Sequence, residues 1–177
     1  SNDYLAYSAV DIFAHCLDLY FSASHLPDFN AALIENILLT VMRTTDTLLE
    51  NPGDYDARAE FAWASTMALN GITFTGVVGN AYPSHIVEHA LSALFNVAHG
   101  AGLSVTLPAW MKWHKEQNRA RYERFAKSVF GASSADEGIE KLEQWFSEIG
   151  SPITLEQAKI PADAIPALTE NALGLSR

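Results

Sequence analysis

The sequence contains a single cysteine, Cys16, among 177 residues, so no disulfide can form within the chain. Such sparing use of cysteine is typical of a reducing compartment, and we expect a cytoplasmic protein. No apolar run approaches the roughly 18 residues that a membrane-spanning helix requires. The sequence therefore predicts no membrane partner.

Basic residues are also scarce. Lysine and arginine total 11 against 21 acidic residues, which gives a formal net charge of −10. A field of this sign repels polyanions, so we do not expect a nucleic-acid partner. Hydrophobic residues make up 49% of the chain and charged residues 18%, a balance typical of a globular domain.

Strand patterns are nearly missing. The best candidate, ITFTGVV at 72–78, is short and lies beside glycines. Most other segments carry apolar residues at helical spacing, and turn signals such as NPGD at 51–54 separate them. We predict one all-α domain over residues 1–177, a bundle of roughly seven to nine helices.

Two local features make specific predictions about helix boundaries. Ser84 precedes HIVEHALSALFN and is predicted to cap that helix. Pro108 is predicted to bend or split a later helix that runs from about Gly102 to Phe130.

The first chemical candidate is the pair Asp11 and His15. Residues four apart lie on one helical face with Cβ atoms roughly 6 Å apart, so both side chains can reach one cation. The alternative is a surface aspartate beside an ordinary helical histidine. This pair alone does not distinguish the two interpretations.

His85 and His89 repeat the spacing of four, and HIVEH matches the H-x-x-E-H pattern of inverted zinc peptidases. In that interpretation Glu88 activates water, so Glu88→Gln would abolish peptidase activity. If the histidines instead bind a metal for a different reaction, Glu88→Gln should change metal binding little. No downstream acidic ligand is evident for a peptidase. His89 is then either a proton relay beside His85 or a histidine bonded in the core.

A third histidine, His99, follows His85 by fourteen residues. A continuous helix would separate them by about 21 Å, whereas ligands of one metal lie within about 4 Å of each other. Asn96 can end one helix, and HGAG at 99–102 frees the backbone to turn. A turn there removes the geometric objection to one site that both histidines share with Asp11 and His15.

One carboxylate with three imidazoles suits Fe²⁺, Zn²⁺ or Mn²⁺. The competing hypothesis is a helical binding or scaffold module whose histidines are structural. Metal content of the purified protein separates these two hypotheses.

Three motifs, taken in order, resemble the iron-containing (group III) alcohol dehydrogenases: AVDIFAHCLD, RAEFAWASTMALNG and SHIVEHALSALFNVAHGAGLSVTLPAWM. The LPAW continuation resembles the branch of NADPH-dependent butanol dehydrogenases and aldehyde reductases. The resemblance runs from about residue 5 to the end of the chain. It implies a helical bundle like the C-terminal domain of dehydroquinate synthase-like proteins.

The resemblance also implies roles for individual residues. Asp11, His15, His85 and His99 match the metal ligands, with Fe²⁺ the first expectation and Zn²⁺ the second, and His89 matches the catalytic histidine beside the substrate. The implied reaction moves a hydride between a small alcohol or aldehyde and NAD(P).

The family has an N-terminal α/β domain that holds the nucleotide, and no equivalent is found in residues 1–177. The resemblance therefore implies that the partner of this helical domain is its own N-terminal domain, and that these residues alone are inactive. We also expect an apolar face that the missing domain, or a second copy in a homo-oligomer, would cover.

Overall fold

The computed structural model describes residues 1–175. Within that range, the regular secondary structure consists of helices. The eight α-helices are α1 (Asn2–Ser22), α2 (Asp28–Glu50), α3 (Tyr55–Leu69), α4 (Pro83–Phe95), α5 (His99–His114), α6 (Arg119–Phe130), α7 (Ala135–Glu148) and α8 (Ile165–Leu175). Three 3₁₀ helices link them: Ile72–Phe74, Lys115–Asn118 and Ala162–Ala164. The predicted all-α bundle is confirmed.

Helix α1 forms the centre of the bundle and packs against α2, α3, α4 and α5. It is apolar around most of its circumference, as expected for a helix covered on nearly all sides. Phe13 lies against Trp145 of α7 with ring centroids 4.8 Å apart, and Phe21 stacks on Tyr122 of α6 at 3.7 Å. Polar groups on this buried helix therefore need partners inside the protein.

The predicted split of the helix at Pro108 is wrong. Helix α5 continues through Pro108 to His114, and the chain changes direction in the 3₁₀ turn Lys115–Asn118. Proline removes one backbone N–H bond, but Leu107 and Met111 on either side are completely buried. Their packing keeps the helix continuous.

The strand candidate at 72–78 forms the 3₁₀ turn Ile72–Phe74 instead, and Val78 pairs with His25 as one isolated antiparallel bridge. Throughout residues 1–175, no helix combines the length and the apolar composition needed to cross a bilayer.

An apolar groove of about 830 Å³ runs between α4, α5 and α8, with Trp113 72% exposed at its edge. Cover of this groove by the N-terminal domain, or by a second copy of the chain, stays a prediction.

Close contact between α1 and α5 depends on Gly100. A Cβ at this position would overlap the backbone carbonyl of Tyr7 in α1. A backbone atom cannot move aside as a side chain can, so α5 reaches its observed distance from α1 only with glycine here.

We therefore expect Gly100→Ala to lower the free energy of unfolding by about 1–3 kcal/mol, the usual cost of overpacking. Gly174→Ala in α8 is the matched control, because its Cβ would meet no atom within 4 Å. Alanine there should leave stability unchanged or raise it by up to about 1 kcal/mol. Urea denaturation followed by circular dichroism measures both. Equal unfolding free energies for the two variants would contradict this account of the helix contact.

Candidate metal centre

Three helices bring the four predicted ligand residues together. Asp11 and His15 lie on successive turns of α1, His85 lies in the first turn of α4, and His99 is the first residue of α5. The turn that the sequence predicted between the last two is at Asn96, which ends α4 with a left-handed backbone at φ 53°.

The side chains converge on one carboxylate oxygen. The Nε2 atoms of the three histidines lie 3.6, 3.7 and 3.5 Å from Asp11 Oδ1, in the order His15, His85, His99. These separations exceed the usual 2.7–3.2 Å of an N–H···O hydrogen bond. Asp11 Oδ1 and His85 Nε2 are buried atoms with no hydrogen-bond partner.

The separations fit a shared cation. A tetrahedral ion with bonds of about 2.0–2.2 Å holds its ligand atoms roughly 3.3–3.6 Å apart. Ligand atoms of Asp11, His15 and His85 all lie within 4.8 Å of one another. His99 is not one of these three residues, although its Nε2 lies 3.5 Å from Asp11 Oδ1. Its side chain is 40% exposed, so the ring has room for the small shift that would make it the fourth ligand.

A fifth residue, Asp18, supports His85 and was missed by the sequence reasoning. Its carboxylate is fully buried and accepts a hydrogen bond from His85 Nδ1 at 2.7 Å. It also accepts from the backbone N–H of Ser84 at 3.2 Å and from the Ser84 hydroxyl at 2.8 Å. Asp18 thus performs the capping that was predicted for Ser84. That prediction is wrong, because α4 begins one residue earlier at Pro83.

A spacing signal for Asp18 was present in the sequence. Asp11, His15, Asp18 and Ser22 follow i, i+4, i+7 and i+11, which puts them on one face of a mostly apolar helix. Ser22 bonds the backbone of Ala81 in both directions, at 2.8 and 3.0 Å. The polar stripe of α1 therefore faces α4 and the residues just before it, with His99 of α5 near its Asp11 end.

Glu88 supports His99 in a similar way. It is fully buried, and its carboxylate accepts hydrogen bonds from His99 Nδ1 and from the hydroxyl of Ser92. Gly102 leaves the space that this carboxylate fills, since a Cβ there would lie 2.5 Å from Glu88 Oε1. A buried carboxylate held by these two partners is not available to activate water, which argues against the peptidase interpretation of HIVEH.

His89 is exposed, so its interpretation as a core histidine is wrong. Its ring stacks against His99 with centroids 5.6 Å apart. A ligand atom of His89 also lies within 4.8 Å of atoms of Glu88 and His99. The side chain therefore has solvent on one side and the candidate metal centre on the other.

The electrostatics of the centre favour a cation. Burial lowers the pKa of His85, but the neighbouring carboxylates of Asp11 and Asp18 outweigh it and raise that pKa to about 9. The bond to Glu88 raises the pKa of His99. Burial raises the pKa of Asp11, yet the surrounding imidazoles bring it below its ordinary value. These carboxylates therefore create a local negative field that stabilises positive charge.

The two remaining histidines lie elsewhere. His25 is exposed in the loop after α1, and His114 stacks on Trp110 with centroids 4.6 Å apart and contacts the Tyr122 hydroxyl at 3.1 Å. Neither belongs to the two groups of neighbouring acidic and histidine residues described above, Asp11 with His15 and His85, and Glu88 with His89 and His99.

Comparison with known proteins identifies the family. Residues 5–176 match the model of the C-terminal part of the Fe-containing alcohol dehydrogenase family. The chain is 36% identical over 152 residues to NADP-dependent alcohol dehydrogenase 3 of Entamoeba histolytica, which covers 84% of this chain and 39% of that protein. It is 29% identical over 170 residues to the NADPH-dependent aldehyde reductase YqhD of Escherichia coli, covering 93% of this chain and 44% of that one.

Solved structures agree. The crystal structure of NADH-dependent butanol dehydrogenase A from Thermotoga maritima superposes with a TM-score of 0.95 and 39% identity, over 99% of this chain and 45% of that chain. The present chain thus spans less than half the length of these relatives.

Proposed function

Because the chain belongs to the Fe-containing alcohol dehydrogenase family, as its C-terminal helical part, we propose that it is the metal-binding half of an NAD(P)-dependent alcohol dehydrogenase or aldehyde reductase. The observation that carries the proposal is the convergence of three imidazole Nε2 atoms on Asp11 Oδ1 at 3.5–3.7 Å. In this proposal Asp11, His15, His85 and His99 hold Fe²⁺, or Zn²⁺ in its place.

When bound, a divalent metal supplies Lewis acidity toward an alcohol or carbonyl oxygen. The chain's own contribution is to hold the ligand atoms. His85 and His99 are each bonded through Nδ1 to a buried carboxylate, so the Nε2 atoms remain free as electron-pair donors. The half-buried Asp11 adds the one negative ligand.

His89 is proposed to carry the proton that accompanies hydride transfer. Its exposed ring lies against that of His99, so it can exchange protons with solvent while remaining next to the candidate metal centre. The nicotinamide itself supplies or accepts the hydride. We propose that it is bound by an N-terminal domain of the longer protein, in keeping with the lengths of the relatives.

The competing scaffold hypothesis treats the histidines as structural. Buried polar atoms in a purely structural cluster normally have hydrogen-bond partners, and Asp11 Oδ1 and His85 Nε2 have none. That pair of unpartnered atoms favours the metal proposal.

We expect the purified chain to bind one divalent ion. Replacing any one of Asp11, His15, His85 or His99 by alanine should weaken binding by at least about tenfold to hundredfold, the loss that removing even an outer partner of a ligand causes. Competition with a chromophoric chelator under anaerobic conditions measures this for Fe²⁺ and Zn²⁺. His25→Ala is the matched control, since this exposed histidine lies outside the centre. Equal affinity in the control and in all four ligand variants would refute the proposed site.

The chain of 177 residues should show no turnover by itself, since the proposal assigns the nicotinamide to another domain. Mixing the metal-loaded chain with NADPH and butanal should leave the absorbance at the NADPH band constant. Steady NADPH oxidation by the purified chain would overturn the assignment of the nucleotide to a separate domain.

In the full-length enzyme, His89→Gln should lower kcat by about 10²–10⁴-fold, the usual contribution of a positioned proton carrier. Metal content should remain that of the wild type, because His89 is not among the four ligands. Steady-state kinetics and metal analysis on the same preparation test both parts. Loss of the metal in this variant would instead make His89 a ligand.

A further inference from the structure

Asp18 is a fully buried carboxylate on the central helix, and both of its oxygens are occupied. Oδ1 accepts the backbone N–H of Ser84 at 3.2 Å. Oδ2 accepts the Ser84 hydroxyl at 2.8 Å and His85 Nδ1 at 2.7 Å, with the His85 backbone N–H at 3.4 Å. One side chain therefore contacts both the start of α4 and the imidazole that α4 carries.

These contacts determine which imidazole nitrogen is available. A neutral imidazole has one N–H donor and one lone-pair acceptor, and the partner of one nitrogen fixes the state of the other. A carboxylate can only accept, so it keeps a proton on His85 Nδ1. The lone pair is then on Nε2, the atom that faces Asp11 Oδ1 at 3.7 Å.

We propose that Asp18 is a positioning residue for the candidate metal centre, holding the Nδ1 proton of His85 and anchoring the first turn of α4 at the same time. The proposal rests on the proposed function, because it takes His85 as a metal ligand. Asp18 itself does not touch the ion. It fixes the direction and the tautomer of a residue that does.

An amide of the same shape, as in Asp18→Asn, cannot both accept the Nδ1 proton of His85 and accept the backbone N–H of Ser84. If the amide turned its oxygen toward His85, its NH₂ group would meet the backbone N–H of Ser84, and two donors would face each other. If it turned its NH₂ group toward His85, it would donate to Nδ1 and move the imidazole proton to Nε2, where it blocks the metal. The first orientation therefore sets two donors against each other at Ser84, and the second satisfies Ser84 but leaves His85 in the tautomer that cannot bind the metal through Nε2.

Glu88 lacks this conflict. Its partners are His99 Nδ1 and the Ser92 hydroxyl, whose oxygen also lies 2.9 Å from the carbonyl oxygen of Val97. In Glu88→Gln the hydroxyl can accept from the new NH₂ group and donate its one proton to Val97. The amide oxygen then stays on His99, so Glu88→Gln does not by itself move the His99 proton to Nε2.

The experiment compares zinc affinity in the wild-type chain, Asp18→Asn and Ser84→Ala, with urea denaturation run on each. Ser84→Ala removes one hydroxyl donor to Asp18 and leaves the imidazole bond intact. We expect Asp18→Asn to lower Zn²⁺ affinity by about ten- to hundredfold, the range found when an outer partner of a ligand histidine is lost. Ser84→Ala should stay within about threefold of the wild type, because it keeps the carboxylate acceptor on the imidazole Nδ1 proton.

Nitrogen-15 NMR of the zinc-loaded wild type gives a readout that does not depend on activity or on any variant folding. His85 should coordinate through Nε2 and show a downfield Nδ1–H resonance protected from solvent exchange. The resonance should persist in Ser84→Ala and lose its protection in Asp18→Asn. Coordination of His85 through Nδ1, or free exchange of that proton in the wild type, would overturn the proposal even if Asp18→Asn fails to fold.

The two proposals fail in different ways. A wild-type chain that binds no zinc through these four ligands would refute the proposed function. A wild-type chain that binds zinc, together with a folded Asp18→Asn variant of unchanged affinity, would refute only the positioning role.

Discussion

The hydrogen bonds between Asp18 of α1 and the first turn of α4 are the constraint on which the candidate centre depends. The first N–H groups of any helix lack partners within the helix, and in α4 those of Ser84 and His85 meet a carboxylate 66 and 67 residues away in the sequence. Because the same carboxylate bonds the His85 ring, the position of the helix and the direction of its ligand are set together. A shift of α4 along α1 would disturb both.

Burying carboxylates is costly unless their oxygens are bonded. Asp18 and Glu88, both fully buried, meet this requirement with imidazole, hydroxyl and, for Asp18, backbone donors. Asp11 does not, because its Oδ1 is surrounded by three nitrogens that are too distant to bond. The carboxylates of this network are therefore satisfied except at Asp11 Oδ1, where the Nε2 atoms meet. A protein that satisfies its other carboxylates so fully leaves this point open for a cation.

The sequence predicted the helical class and the four converging residues, because helical periodicity and i, i+4 spacing are local signals and the ordered motifs resemble one family. It did not predict Asp18 as a partner of His85, because that contact joins distant parts of the chain. The same cause explains the wrong cap. Rules for helix starts assume that a nearby side chain caps the helix, and here a side chain from α1 replaces Ser84. At Pro108, tertiary packing outweighed a local breaking signal.

The glycines of HGAG help to bring His99 near Asp11, as expected, but they do so by close packing and not by making a turn. The sequence suggested that they free the backbone for a turn, but the turn is made by Asn96, and both Gly100 and Gly102 lie inside α5. Their role is close approach: one lies against the Tyr7 carbonyl of α1, and the other against the carboxylate of Glu88. His99 is the first residue of α5 and reaches Asp11 because no side chain separates the two helices there. The spacing of the ligands therefore depends on backbone contact between α1 and α5 as much as on the ligands themselves.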